Sequence, residues 1–201
     1  MPKETFFNLP VYKQETILKA AVQEFSESRY SEASINKIVK ASSISRGSFY
    51  QYFLDKGDVF DYIVEGIRRD KLKSFNQFDS EHDYDFFETY KRTTLLMLTW
   101  AKEHPEYNNI GLLIEQDDHP ALDKHKTLSS KGEDRLISLV RKDMACGKLK
   151  PETDPELLVE VITTITHSLL KDIFKSEEKS VPLLLKKLDD TLSIVKYGVS
   201  K

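Results

Sequence analysis

Apolar residues recur three and four positions apart along almost the whole of this 201-residue chain, and little interrupts them. There are 7 glycines and 7 prolines, too few breakers for a β-rich fold with many turns. In "KQETILKAAVQEFSES", Ile17, Ala21 and Phe25 share a face, with Leu18 and Val22 beside them. "SINKIVKA" is a short helix with Ser34 as N-cap, and "SRGSFYQYF" is another, opened by Ser45. Asp55 and Asp58 resemble a capping box at the head of the next helix, which buries Val59, Phe60, Ile63, Val64 and Ile67. Past "NQFDSEHDYD" come helices over about 84–103, from "HPE" onward, over about 121–146 to a stop at Gly147, from Asp154 and Pro155 onward, and over about 181–197. The expected fold is all-α. An N-terminal three-helix domain, residues 1–56, precedes a larger helical domain, residues 57–201.

Composition narrows the function classes. The single cysteine, Cys146, cannot form an internal disulfide, and no stretch approaches the roughly 18 apolar residues of a membrane span. The N-terminus carries no basic and apolar leader, so the expectation is a cytoplasmic protein without membrane association. The net charge of −3 excludes a globally basic nucleic-acid binder, so any such role needs a local patch.

That patch exists. Two short helices joined by about four residues, after a packing helix, have helix-turn-helix spacing. Ile35, Ile38, Val39, Ile44, Phe49 and Phe53 form the inward face, as aromatics at helical spacing ordinarily do. Arg46, Gly47, Ser48 and Gln51, with Tyr50 and Tyr52, make up the outward one. Hydroxyls suit phosphate oxygens, arginine can read a guanine edge bidentately, and glycine lets backbones approach. From Ser34 to Lys56 four bases and one acid give +3 within a chain of net −3.

"SINKIVKASSISRGSFYQYFLDKGDVF" resembles the DNA-binding signature of the TetR/AcrR family of transcriptional regulators. Ile38, Val39, Ala41, Ile44, Ser45, Gly47, Tyr50, Phe53 and Lys56 sit at matching positions. Ser42 and Ser43 depart from the family's usual Ala or Leu followed by Gly, so Ser43 must take a turn conformation that glycine adopts easily. The resemblance spans residues 14–64. It implies phosphate contacts from Ser34, Ser48, Tyr50, Tyr52 and Lys56, base contacts from Arg46, Gly47 and Gln51, a further base contact from Asn36, and a place for Ser45 in the same DNA-binding set. It also implies a larger domain for ligand binding.

One recognition helix makes few contacts, and two-fold pairing would match a palindromic operator on double-stranded DNA. The expected homodimer seam is Leu158, Ile162, Ile165 and Leu169 with Val181, Leu185, Leu188, Leu192 and Val195, spaced by threes and fours. Phe87, Tyr90, Met97, Trp100, Tyr107, Ile110, Leu113 and His167 are candidates for lining a pocket for an apolar or amphipathic effector; each is also an ordinary core residue by pattern. The functional expectation is a ligand-released repressor. No cofactor or metal is expected, although "EQDDHP" with His125 offers oxygen and imidazole donors. No G-x-S-x-G, P-loop, G-x-G-x-x-G or H-E-x-x-H occurs, so no catalysis is expected. The alternative is a helical adaptor or enzyme with a non-functional helix-turn-helix.

Overall fold

The computed structural model describes residues 1–76, 84–127, 130–175 and 181–198. Among them are eleven α-helices and one short 3-10 helix, Pro120–Leu122, and no strand. The helices are α1 Glu4–Phe7, α2 Val11–Glu27, α3 Ile35–Ala41, α4 Arg46–Tyr52, α5 Lys56–Asn76, α6 Phe86–Glu103, α7 Pro105–Gln116, α8 Asp123–Thr127, α9 Ser130–Ala145, α10 Pro155–Lys175 and α11 Val181–Tyr197. The all-α expectation holds. Two boundaries differ. α1 precedes the first helix read from the sequence, and the helix expected over 121–146 is the 3-10 turn, α8 and α9 in succession.

The chain packs as two units, Met1–Ser80 with Thr99–Leu128, and Glu81–Leu98 with Ser129–Lys201. The packing division therefore does not follow residue 56. α5, α7 and α8 belong with the N-terminal helices, because α2 packs on α3, α5 and α7. The boundary falls inside α6, between Leu98 and Thr99.

The first unit is built on aromatics. Phe6, Phe25, Phe49 and Phe53 are fully buried, as are Ile17, Ala21, Ile38 and Val59. Phe25 meets Phe60 edge-on at 4.9 Å, and Phe49, Phe53 and Phe6 follow one another at 5.2 and 5.0 Å. The faces expected of α2 and α5 are the buried ones. Burying each such side chain contributes about 1.5–3 kcal/mol, enough to hold helices as short as α3 and α4 that would not persist alone.

The second unit packs Phe86, Phe87 and Tyr90 of α6 with Val140, Val159, Ile162, Leu188 and Leu192. Its helix ends follow local rules. Gly147 takes φ +71°, its N–H bonds Met144 O, and Lys148 N–H bonds Asp143 O, a Schellman motif closing α9. Asp154 Oδ1 accepts from Leu157 N–H at 3.0 Å and starts α10, with Pro155 at its first position.

Candidate nucleic-acid interface

α3 and α4 join through Ser42, Ser43, Ile44 and Ser45. Ser43 lies at φ +56°, the left-handed conformation expected where the family signature has glycine. Ser42 is buried and its hydroxyl donates to Ile38 O at 2.7 Å, which closes α3. Ser45 Oγ accepts from Ser48 N–H at 2.9 Å and lies 2.8 Å from Ser48 Oγ, which opens α4. Ser34 occupies the N-cap of α3 but makes no side-chain cap bond. Its N–H instead donates to Glu24 Oε1 at 2.9 Å, and this buried carboxylate also faces Lys37 Nζ at 3.4 Å.

With Phe49 and Phe53 facing inward, α4 turns Arg46, Gly47, Tyr50 and Gln51 to solvent, and Ser48 is half-buried. Arg46 Nη1 donates to Asn36 Oδ1 at 3.2 Å, and the guanidinium lies 5.9 Å from the Tyr50 ring centroid. A Cβ on Gly47 would meet only Ser45 Oγ, at an ordinary 3.7 Å. Nothing inside the chain requires glycine there, although glycine in a helix costs about 1 kcal/mol relative to alanine.

Two residues of the expected set are turned to other tasks. Tyr52 is half-buried and its ring meets Phe6 edge-on at 6.4 Å. Lys56 Nζ donates to the carbonyls of Tyr30 at 2.5 Å, Ala33 at 3.0 Å and Ser31 at 3.4 Å, and sits 4.7 Å from the Tyr30 ring centroid. All three ammonium protons have acceptors, so Lys56 ties α5 to the loop before α3 instead of offering a free charge. Burial pushes its pKa down, against the pull of Asp117 and Glu24.

The same loop is gripped from its other side by a residue of "EQDDHP". Asp117 Oδ2 accepts from Ser31 N–H and Oγ at 2.9 and 3.0 Å, and Oδ1 accepts from His119 N–H at 3.0 Å. Burial raises the carboxyl's pKa, but these donors outweigh it and hold it below its usual range. No group of three metal-ligating side chains occurs among the described residues. Nor is any described helix long and apolar enough to cross a membrane.

The effector-pocket candidates divide between the two units: Trp100 stacks on Tyr107 at 6.1 Å and shares a core with Ile110 in one, and Phe87 and Tyr90 share a core in the other. Trp100, Tyr107, Ile110 and Leu113 belong to the first unit, and Phe87, Tyr90, Met97 and His167 to the second. Met97 is 52% exposed and His167 lies exposed on α10, so neither lines an enclosed space in its unit. The dimer seam is similarly redirected. Ile162, Leu188 and Leu192 are core, with Leu158 and Val195 packed against them, and Ile165, Leu169 and Leu185 are half-buried. α10 and α11 of one chain consume this stripe on each other. Val181 opens α11, but its side chain lies outside the described residues. Exposed apolar positions on these helices include Leu157 and Val161 on α10 and Leu183 and Ile194 on α11.

Sequence reasoning missed Lys3 and Thr5. Lys3 Nζ and N–H reach the carbonyls of Tyr50 and Tyr52, both at 2.8 Å, and Thr5 Oγ1 reaches that of Gln51. No spacing rule links residues so far apart.

A capped, aromatic-cored pair of short helices with a polar outer face defines a helix-turn-helix protein. Residues 17–63 match the family described as "Bacterial regulatory proteins, tetR family". The chain is 24% identical over 184 residues to the uncharacterized HTH-type transcriptional regulator YhgD of Bacillus subtilis strain 168, covering 87% of this chain and 90% of that one. Its fold is similar to a TetR family regulator of Chloroflexus aurantiacus J-10-FL, with TM-score 0.81, 24% identity and 98% of each chain covered. It is also similar in fold to the fatty acid degradation regulator FadR of Bacillus halodurans, with TM-score 0.71, 21% identity, and 96% and 98% covered. The helix-turn-helix segment, residues 17–63, thus matches the TetR family of transcriptional regulators, and the chain as a whole shares the all-helical fold of such regulators.

Proposed function

We propose that the chain is a ligand-released repressor that reads a palindromic operator as a homodimer. One observation carries the DNA-reading part: the outer face of α4 presents Arg46, Tyr50 and Gln51 around a glycine that the protein itself does not need. In this reading Arg46 takes a base edge, Gly47 and Gln51 lie against bases, and Tyr50, Ser48 and Ser45 hold phosphates. Asn36 steadies Arg46. The homodimer forms through the exposed faces of α10 and α11, around Leu157, Val161 and Ile194. It sets the two reading helices about 34–36 Å apart, or a multiple of that, for successive major grooves.

Repression is the simpler direction, since covering a promoter needs no further contacts. Release requires an effector that binds the DNA-incompetent state better, typically by about 1–3 kcal/mol. The likeness in fold to a protein named as a fatty acid degradation regulator makes acyl compounds the first class to screen.

The test is selection of fragmented genomic DNA on the purified protein, read by sequencing beside a Tyr50→Ala control. An enriched palindrome whose affinity falls steeply with salt supports the reading. Equal recovery by both proteins refutes it.

A further inference from the structure

A helix leaves its last four carbonyls without intrahelical partners. α4 has 7 residues, too few to persist by its own hydrogen bonds. Even so, all four terminal carbonyls are satisfied. Phe49 O accepts from Phe53 N–H at 2.9 Å. The other three are taken by the opening segment of the chain. Tyr50 O accepts from Lys3 Nζ at 2.8 Å, Gln51 O from Thr5 Oγ1, and Tyr52 O from Lys3 N–H at 2.8 Å. Phe6 anchors this segment: it is fully buried and lies 5.0 Å from the Phe53 ring and 6.1 Å from that of Tyr62.

We propose that Lys3 and Thr5 are positioning residues for DNA reading, a clamp that holds the last turn of α4 so that Tyr50 and Gln51 reach their contacts. This rests on the assignment of α4 as the reading helix. Lys3 has a second effect. The C-terminal end of a helix carries partial negative charge, which a phosphate backbone would repel, and an ammonium on Tyr50 O offsets it there. Both side chains are exposed, so their loss leaves the aromatic core in place.

The test uses the full chain with the double variant Lys3→Met, Thr5→Val, and Thr5→Ser as the conservative control. Amide hydrogen exchange is measured through α4 and α2, together with affinity for DNA selected by the wild type. The double variant is expected to lose about tenfold protection in the last turn of α4 and about tenfold affinity, with α2 unchanged, and Thr5→Ser to keep both. Unchanged exchange in α4 overturns the clamp. Faster exchange with affinity kept within about twofold overturns its role in reading. If the wild type selects no DNA at all, the reading assignment itself fails and the DNA role of the clamp goes with it. Exchange would then still show whether the clamp holds the helix.

Discussion

Arg46 Nη1 donates to Asn36 Oδ1 at 3.2 Å, a bond that joins the two helices of the helix-turn-helix across their exposed side. A long cation on a seven-residue helix is thereby held in place before any DNA arrives. Asn36→Ala should cost operator affinity about 1 kcal/mol through lost pre-organisation. Arg46→Ala should cost about 1–3 kcal/mol and relax the preference at one base position. Anisotropy titrations against the selected operator and single-base variants measure both. Circular dichroism should show unchanged helicity.

Ser43 sits at φ +56°, exposed, in the turn between those helices. An L-residue pays about 1–2 kcal/mol in this region, and glycine recovers most of it while losing some unfolded-state advantage. Ser43→Gly should raise stability by up to about 1 kcal/mol, and Ser43→Val should lower it. Urea midpoints decide. A destabilised Ser43→Gly would mean that the serine earns its place by a contact and not merely by tolerance.

The redirected seam makes two substitutions on neighbouring helices behave differently. Leu188 is 1% exposed in the core of the second unit, so Leu188→Glu should unfold that unit, at a cost above about 3 kcal/mol. Leu157 is 55% exposed on α10, so Leu157→Glu should leave helicity intact and yield monomers by sedimentation. A dimer that survives Leu157→Glu, alone and with Val161→Glu, removes this face from the proposed interface.

Two groups in the first unit predict separate pH windows. His125 is buried, its Nε2 lies 2.8 Å from Asp61 Oδ1, and its Nδ1 has no hydrogen-bond partner. Burial pushes its pKa below 6.5, Asp61 pulls the other way, and Arg68 adds to the fall. The unfolded chain therefore binds the proton more readily, so stability is full above about 6.5 and declines as pH drops below it. His125→Gln should flatten that decline. Asp117 is depressed, so its contribution is full above the ordinary carboxylate range and disappears as pH falls through its folded value. Asp117→Asn should remove the lower window and cost about 1–3 kcal/mol at neutral pH, because an amide cannot accept all three donors. Urea midpoints from pH 8 to pH 3 separate the two.

What the sequence determined by itself was local. Helical periodicity, the sparse breakers, the Ser45 and Asp154 caps and the Gly147 stop are short-range effects, and they were legible as such. So was the helix-turn-helix, because its inward aromatics and outward polar groups lie within thirty residues and follow one helical phase. Ser43 in the left-handed region was legible only through the family resemblance, which places glycine at that turn position. Tertiary structure decided which apolar face met which. α10 has two apolar stripes, and only packing shows that the one through Ile162 meets its own α11 while Leu157 and Val161 stay outside. It decided that Lys56 binds carbonyls of a loop 23–26 residues earlier, and that Lys3 and Thr5 complete α4. Unsatisfied carbonyls and buried charges take whatever donor the fold brings near, and the periodicity of a sequence carries no record of that partner.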